Sequence, residues 1–237
     1  MGAGVRRLVR RSVRLALVLA VLAGAVLGVA WAATPGVADA QQRVAARLTA
    51  HGATALDGAV PAKVADALIA TEDSRFRTNG GVDWRGVLRQ PWGLVTGQDL
   101  GGATLEQQLA KNVYEDGENG PVEKVRAVAL ALKLDRAWSK DQLLRMYLDD
   151  GYYGHGFHGL ADAAQGYFGV PADQLTWAQS TVLAGLFQAP SAYDPLAHPE
   201  RARARQAHVL DRLVAVGTLT RAQADAVAQD DWGLVGR

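Results

Sequence analysis

The segment from Leu15 to Ala33, LALVLAVLAGAVLGVAWAA, runs for 19 residues without a charge. As a helix at about 1.5 Å per residue it matches the ~30 Å hydrocarbon core of a bilayer. A chain with such a stretch is expected to put one helix through a membrane. The preceding MGAGVRRLVRRSVR carries five arginines and no acid, and Trp31 sits near the far end of the span. Cationic residues stay on the cytoplasmic side and tryptophan favours the interface, so the N-terminus is expected in the cytoplasm and everything after residue 34 outside. A cleaved signal is the alternative, because the ADA before Gln41 has the form of a cleavage site. An apolar run of 19 residues is long for a signal's h-region of about 7–15. Gly24 and Gly28 form a Gly-x-x-x-Gly pair, which carries little weight in a span this rich in alanine and glycine.

The remainder of the 237 residues suits one globular domain, and 49% hydrophobic residues supply a core. There is no cysteine, which excludes disulfides and thiolate metal sites. Without the five N-terminal arginines, 20 basic residues face 24 acidic ones. That balance argues against a nucleic-acid partner. Pro35 and Gly36 end the apolar helix. The expected organisation is a basic tail over 1–14, a transmembrane helix over 15–33, a linker over 34–60 with a short helix over 37–50, and a domain over 61–237.

Within the domain, apolar periodicity predicts a helix over 62–76. Four Ser/Thr-x-x-Gln patterns have the form of capping boxes: Thr104 with Gln107, Ser139 with Gln142, Thr176 with Gln179, and Thr220 with Gln223. They predict helices over 105–114, 140–149, 177–188 and 221–228, with another over 121–137. Residues 77–103 are rich in glycine and turns, with a short helix at WRGVLRQ and room for a hairpin. The fold class is mainly α.

Five motifs follow in order: TEDSRF (71–76), GGATLEQQLAKN (101–112), EKVRAVALALKLDRAWSKDQLLRMYLDD (123–150), YYGHGFHGLADAAQGYFG (152–169) and LTWAQSTVLAGLFQAPSAYDP (175–195). Together they resemble the family 51 peptidoglycan glycosyltransferases, the polymerase domains of class A penicillin-binding proteins and their monofunctional relatives. The resemblance covers about residues 60–210. It implies a lysozyme-like helical domain with a small membrane-facing jaw. It also implies a reaction: the 4-hydroxyl of lipid II attacks the anomeric carbon of the nascent glycan strand, undecaprenyl pyrophosphate leaves, and a β-1,4 bond forms. Such chemistry needs a carboxylate base and cations at the leaving group. The implied partners are lipid II, the glycan strand, the bacterial plasma membrane, and a transpeptidase or other cell-wall synthase. Mg²⁺ or Mn²⁺ is an expected helper, and no organic cofactor is implied.

By resemblance Glu72 and Asp73 are the catalytic residues, with Glu72 as the base. Phe76, Asn79 and Arg89 are expected to shape the site and bind substrate. Thr104, Gln107, Gln108, Lys111 and Asn112 form the second motif, with Lys111 as the pyrophosphate cation, joined by Lys124 and Arg126. The bland readings are a wet helix end for Glu72, core packing for Phe76, a surface charge for Arg89 and an N-cap for Thr104. The sequence departs from the family at Asn79 for His, Ala103 for Ser, Glu106 for Thr, Arg145 for Glu, Asp149 for Asn, Val170 for Lys and Gln179 for Glu. The main departure is Ala127, where the family has its second glutamate. Glu123 lies one turn earlier on the same face and is the candidate stand-in acid. Glu106 is expected to add an acid where anionic substrate passes. His155 and His158 form a His-x-x-His pair that lacks an obvious third metal ligand. An active polymerase is the first reading, and a catalytically impaired scaffold that binds lipid II or a synthase is the second. A lytic glycosidase is a third, which would need two carboxylates about 5–9.5 Å apart.

Overall fold

The computed structural model describes residues 3–86, 103–115, 117, 118 and 120–235. Arg89 and most of the turn-rich stretch before the second motif lie outside the described residues. The described residues form α-helices, one 3₁₀ turn and a single β-bridge between Tyr152 and His158, with no strand among them. The mainly α expectation holds.

Helix α1 (Ala3–Ala33) is long, and its stretch Leu8–Ala33 is apolar enough to cross a membrane. From Leu8 to Val29 its leucines and valines other than Leu27 stand exposed, which suits a lipid environment. Helix α2 (Ala40–Ala50) follows the break at Pro35. Helix α3 (Ala62–Glu72) is shorter than the expected 62–76. It stops because Asp73 leaves helical geometry (φ −150°, ψ 79°), and its carboxylate accepts the Arg75 amide at 3.2 Å. An aspartate that bonds the backbone two residues on favours a turn over further helix.

Helices α4 (Leu105–Tyr114), α5 (Pro121–Ala137), α6 (Lys140–Asp150), α7 (Leu160–Phe168), α8 (Trp177–Leu186), α9 (Pro199–Ala215) and α10 (Arg221–Gln229) complete the domain. All four expected capping boxes are formed reciprocally, at the starts of α4, α6, α8 and α10. Gln179, where the family has Glu, spends its side chain on the Thr176 cap and on the Trp232 carbonyl. Helices α7 and α9 were not anticipated. They start at Gly159 and at His198–Pro199, without a Ser/Thr-x-x-Gln signal.

Helix α8 is the axis of the core: every residue from Ala178 to Leu186 is buried. Helices α3 and α9 pack on it and on each other, and α10 closes against α9. Helix α4 lies against α5 and α6, α2 lies on α6, and α1 packs on α5. Gly185 makes the α8–α9 approach close, since a methyl group there would meet Arg205 Cγ at 3.0 Å. Phe76, fully buried, ties the TEDSRF turn into the same core. The C-terminus of α3 therefore meets α4, α6 and α9 at one place.

Candidate active site

Glu72 is the last residue of α3, where the helix ends inside the molecule. Its side chain is 17% exposed, and Oε1 lies 3.3 Å from Nη2 of Arg205 on α9. Arg205 is held from its other side by the Gly185 carbonyl, 3.1 Å from Nε. The Gln108 amide of α4 also bonds the Glu72 carboxyl. Gln108 Oε1 accepts the Tyr147 hydroxyl at 2.7 Å, which leaves the amide nitrogen for Glu72. Burial pushes the Glu72 carboxyl above its ordinary value, and Arg205 and Gln108 only partly pull it back. Arg205 is shifted down, again by burial first. The arrangement is a desolvated carboxylate with one cation and one amide, a setting that suits a proton acceptor.

Asp73, adjacent in sequence, points elsewhere. Its oxygens accept from the Arg75 amide at 3.2 Å, from Asn79 Nδ2 at 2.8 Å and from the Leu105 amide at 3.3 Å. The last bond meets an orphan N–H at the start of α4. Asn79 uses both ends of its amide, since Oδ1 also accepts from the Gly81 amide and from Lys140 Nζ, each at 3.0 Å. Thr104 caps α4, donates to the Gly81 carbonyl at 2.7 Å, and is buried. Gln107 returns the capping bond to the Thr104 amide at 2.9 Å. These residues fasten the 73–81 turn to the head of α4, and so fix the end of α3 that carries Glu72.

The expectation for Glu106 needs correction. It does not line a substrate path: its side chain is fully buried, and one oxygen lies 2.5 Å from Lys140 Nζ. Lys140 also pairs with Asp135 at 2.6 Å. An acid placed on the inner face of the first turn of α4, beside a lysine of α6, becomes a core ion pair.

Gln108, Lys111 and Asn112, on one face of α4, line a cavity of about 250 Å³ with Tyr147, Gly151, Tyr152, Phe187 and Pro190. Gln108 is the link to Glu72, whose carboxyl it bonds. On α5, Lys124 is exposed, and Arg126 Nε pairs with Glu115 at 2.9 Å. Ala127 is buried. Glu123 folds back over Gly120 at the start of its own helix, where an added methyl would meet Oε2 at 2.1 Å. It turns away from the direction of Ala127. His155 bonds Asp194 at 3.0 Å, whereas His158 stacks on His51, so the two histidines take separate partners. Among the described residues no group of three or more His, Asp or Glu is placed to hold a metal ion.

The sequence reading missed Arg205 and Tyr147. Arg205 had a legible signal: it falls within the stripe Ala202, Gln206, Val209 and Leu213, the buried face of α9. An arginine in an apolar stripe at helical spacing announces a buried partner.

The structure defines a helical domain with an apolar N-terminal helix and a largely buried acid–cation pair where α3, α4 and α9 meet. The Transglycosylase family matches residues 42–214, and the chain belongs to that family, whose chemistry is peptidoglycan glycosyl transfer. A Cupriavidus necator protein named as a transglycosylase is 38% identical over 169 residues, which are 71% of this chain and 73% of that protein. Penicillin-binding protein 1A of Neisseria flavescens is 40% identical over 173 residues, 72% of this chain but only 22% of that protein. The chain thus spans under a quarter of the penicillin-binding protein's length. The crystal structure of penicillin-binding protein 1A from Haemophilus influenzae aligns with a TM-score of 0.45 and 23% identity, over 74% of this chain and 17% of that one. The family assignment rests on the sequence matches.

Proposed function

We propose that the protein polymerises lipid II into β-1,4-linked glycan strands, with inversion and release of undecaprenyl pyrophosphate. Glu72 acts as the base. It takes the proton from the attacking 4-hydroxyl while the hydroxyl oxygen bonds to the anomeric carbon and the bond to the pyrophosphate oxygen breaks. The observation that carries this reading is the setting of Glu72, a desolvated carboxylate raised above its ordinary value and bonded by Gln108, which lines a cavity with Lys111 and Asn112. Lys111 offers a point charge for the pyrophosphate, and Lys124 and Arg126 add cations on α5. Asp73 and Asn79 position Glu72 without touching substrate. The apolar helix α1 holds the domain on the outer face of the plasma membrane, with the N-terminus in the cytoplasm. A transpeptidase or other synthase would use the strands made.

The test is lipid II polymerisation by the full chain in detergent, with and without Mg²⁺ or Mn²⁺, beside Glu72→Gln. Removing a positioned base costs about 10²–10⁴ in rate, so strands should form with the native chain and all but vanish with the variant. Ala127 favours one second reading, a membrane-anchored binder of lipid II that lacks turnover. It predicts lipid II binding by both proteins and no strands from either.

A further inference from the structure

Two positions where the sequence departs from the family, Asn79 and Glu106, meet on one ammonium, that of Lys140. Lys140 is the first residue of α6, where a cation works against the helix dipole. Its side chain is only 20% exposed, and Nζ lies 4.9 Å from the centre of the Phe76 ring. An ammonium has three N–H donors. Three acceptors meet Nζ: Glu106 Oε1 at 2.5 Å, Asp135 Oδ1 at 2.6 Å and Asn79 Oδ1 at 3.0 Å. They come from α4, from α5 and from the turn after α3, so one side chain ties three pieces of backbone together.

The bonds close into a ring. From Lys140 they pass to Asn79, whose Nδ2 donates to Asp73 Oδ2 at 2.8 Å. The same oxygen accepts the Leu105 amide at 3.3 Å. Leu105 is followed directly by Glu106, which returns to Lys140. The Asn79 amide fits this ring only one way round, because an ammonium can only donate to its oxygen and a carboxylate can only accept from its nitrogen. Glu72 precedes Asp73 at the end of α3, and Gln108, three residues beyond Leu105 on α4, bonds the Glu72 carboxyl. The ring thus sets the spacing of α3's end from α4's first turn, which is the spacing that the Glu72–Gln108 bond spans.

We propose that Lys140 and Glu106 are positioning residues for Glu72. The pair orients Asn79, and through Asn79 and Asp73 it holds the Glu72 carboxyl against Gln108 and Arg205. Glu106 is fully buried and acts only through Lys140. That Glu72 is the base rests on the proposed function. The ring rests on its own bonds.

Variants of the full chain in detergent test the proposal. Asn79→Asp keeps the acceptor facing Lys140 but sets a second carboxylate against Asp73, which opens the ring without a change of size. Lys140→Met combined with Glu106→Gln opens it elsewhere and leaves no lone buried acid on α4. Each should lower kcat for lipid II polymerisation, per folded molecule, about 10- to 100-fold while KM moves less than about threefold, as expected for a slightly misplaced base. All three substitutions together should cost little more than the poorer variant, since either opens the same ring. Lys140→Arg, which keeps a cation with several donors, should restore part of kcat. Amide exchange over residues 71–76 and 105–108 should quicken at least about fivefold in both ring-opened variants. A native kcat in either, or losses that simply multiply when combined, overturns the proposal. If Lys140→Met with Glu106→Gln melts early by circular dichroism, Asn79→Asp and Lys140→Arg carry the test. A native chain that makes no strands sinks the polymerase reading, and exchange then decides: quickening in the variants upholds the ring, and native exchange overturns it.

Discussion

Glu72 has Arg205 within 3.3 Å and a burial that works against its charge. If it is the base, its ionisation sets the acid limb of the rate profile. Removing Arg205 removes the cation that lowers the carboxyl, so the limb should move to higher pH. Arg205→Gln should lower polymerisation at neutral pH about 10- to 100-fold, in line with ~1.5–3 kcal/mol for a charged hydrogen bond. It should lose less at alkaline pH, and Arg205→Lys should restore part of the profile. A curve that falls uniformly without moving would mean that Arg205 only supports the packing of α9. Asp73 illustrates the limit of adjacency. Beside Glu72 in the chain, it serves the head of α4 because a helix end reverses the direction in which successive side chains point.

At the scale of elements, α1 is fastened to the domain as well as tethered to it. Lys133 Nζ of α5 donates to the Trp31, Thr34 and Pro35 carbonyls and to Thr34 Oγ1 at 2.8–3.1 Å. Arg136 lies over the Trp31 ring at 4.8 Å, and Trp138 Nε1 bonds the Val37 carbonyl at 2.9 Å. The Trp31 carbonyl in the last turn of α1, and the Thr34 and Pro35 carbonyls just beyond it, thus find a donor on α5, the helix that also carries Lys124 and Arg126. Lys133→Met should speed amide exchange over residues 34–37 about tenfold or more in detergent, because charged hydrogen bonds are lost. Unchanged exchange there would show that packing alone holds the anchor. The helix ends were the most readable feature of the chain, since Thr104, Ser139, Thr176 and Thr220 each announce a cap by local chemistry. Helix α9 starts on Pro199 and gives no such sign.

Across the whole molecule, burial raises the carboxyls of Glu72, Asp73, Glu106, Asp149 and Asp150. The folded chain then holds protons that the unfolded chain releases, so these groups lower stability as pH rises from their ordinary values of 3.8 and 4.5 through the raised ones. His158 and His208 are shifted down by burial from 6.5, so their share of stability is lost as pH falls below that value. Asp39 and Asp83 are lowered, and their share is lost only in stronger acid, below 3.8. The carboxyls should therefore make Tm fall as pH rises above their ordinary values, against the opposite trend of the two histidines, and Glu106→Gln should lessen that fall. A Tm that climbs steadily from pH 5 to 8 and ignores that substitution would contradict the account.

What the sequence determined by itself is whatever local chemistry decides: the apolar helix, the four caps, the mainly helical class, the family motifs, and Glu72 as the residue to watch. Lys111, Asn112 and Gln108 were legible for the same reason, because three residues spaced for one face of α4 stay together however that helix packs. Tertiary structure decided the partners. Arg205 comes to Glu72 from 133 residues away, Glu106 turns inward to Lys140, and His158 crosses to His51 while His155 goes to Asp194. No local pattern encodes those meetings. They follow from how the helices pack: α3 against α9 for Glu72 and Arg205, α4 against α6 for Glu106 and Lys140, and α2 against the 152–159 loop for His51 and His158.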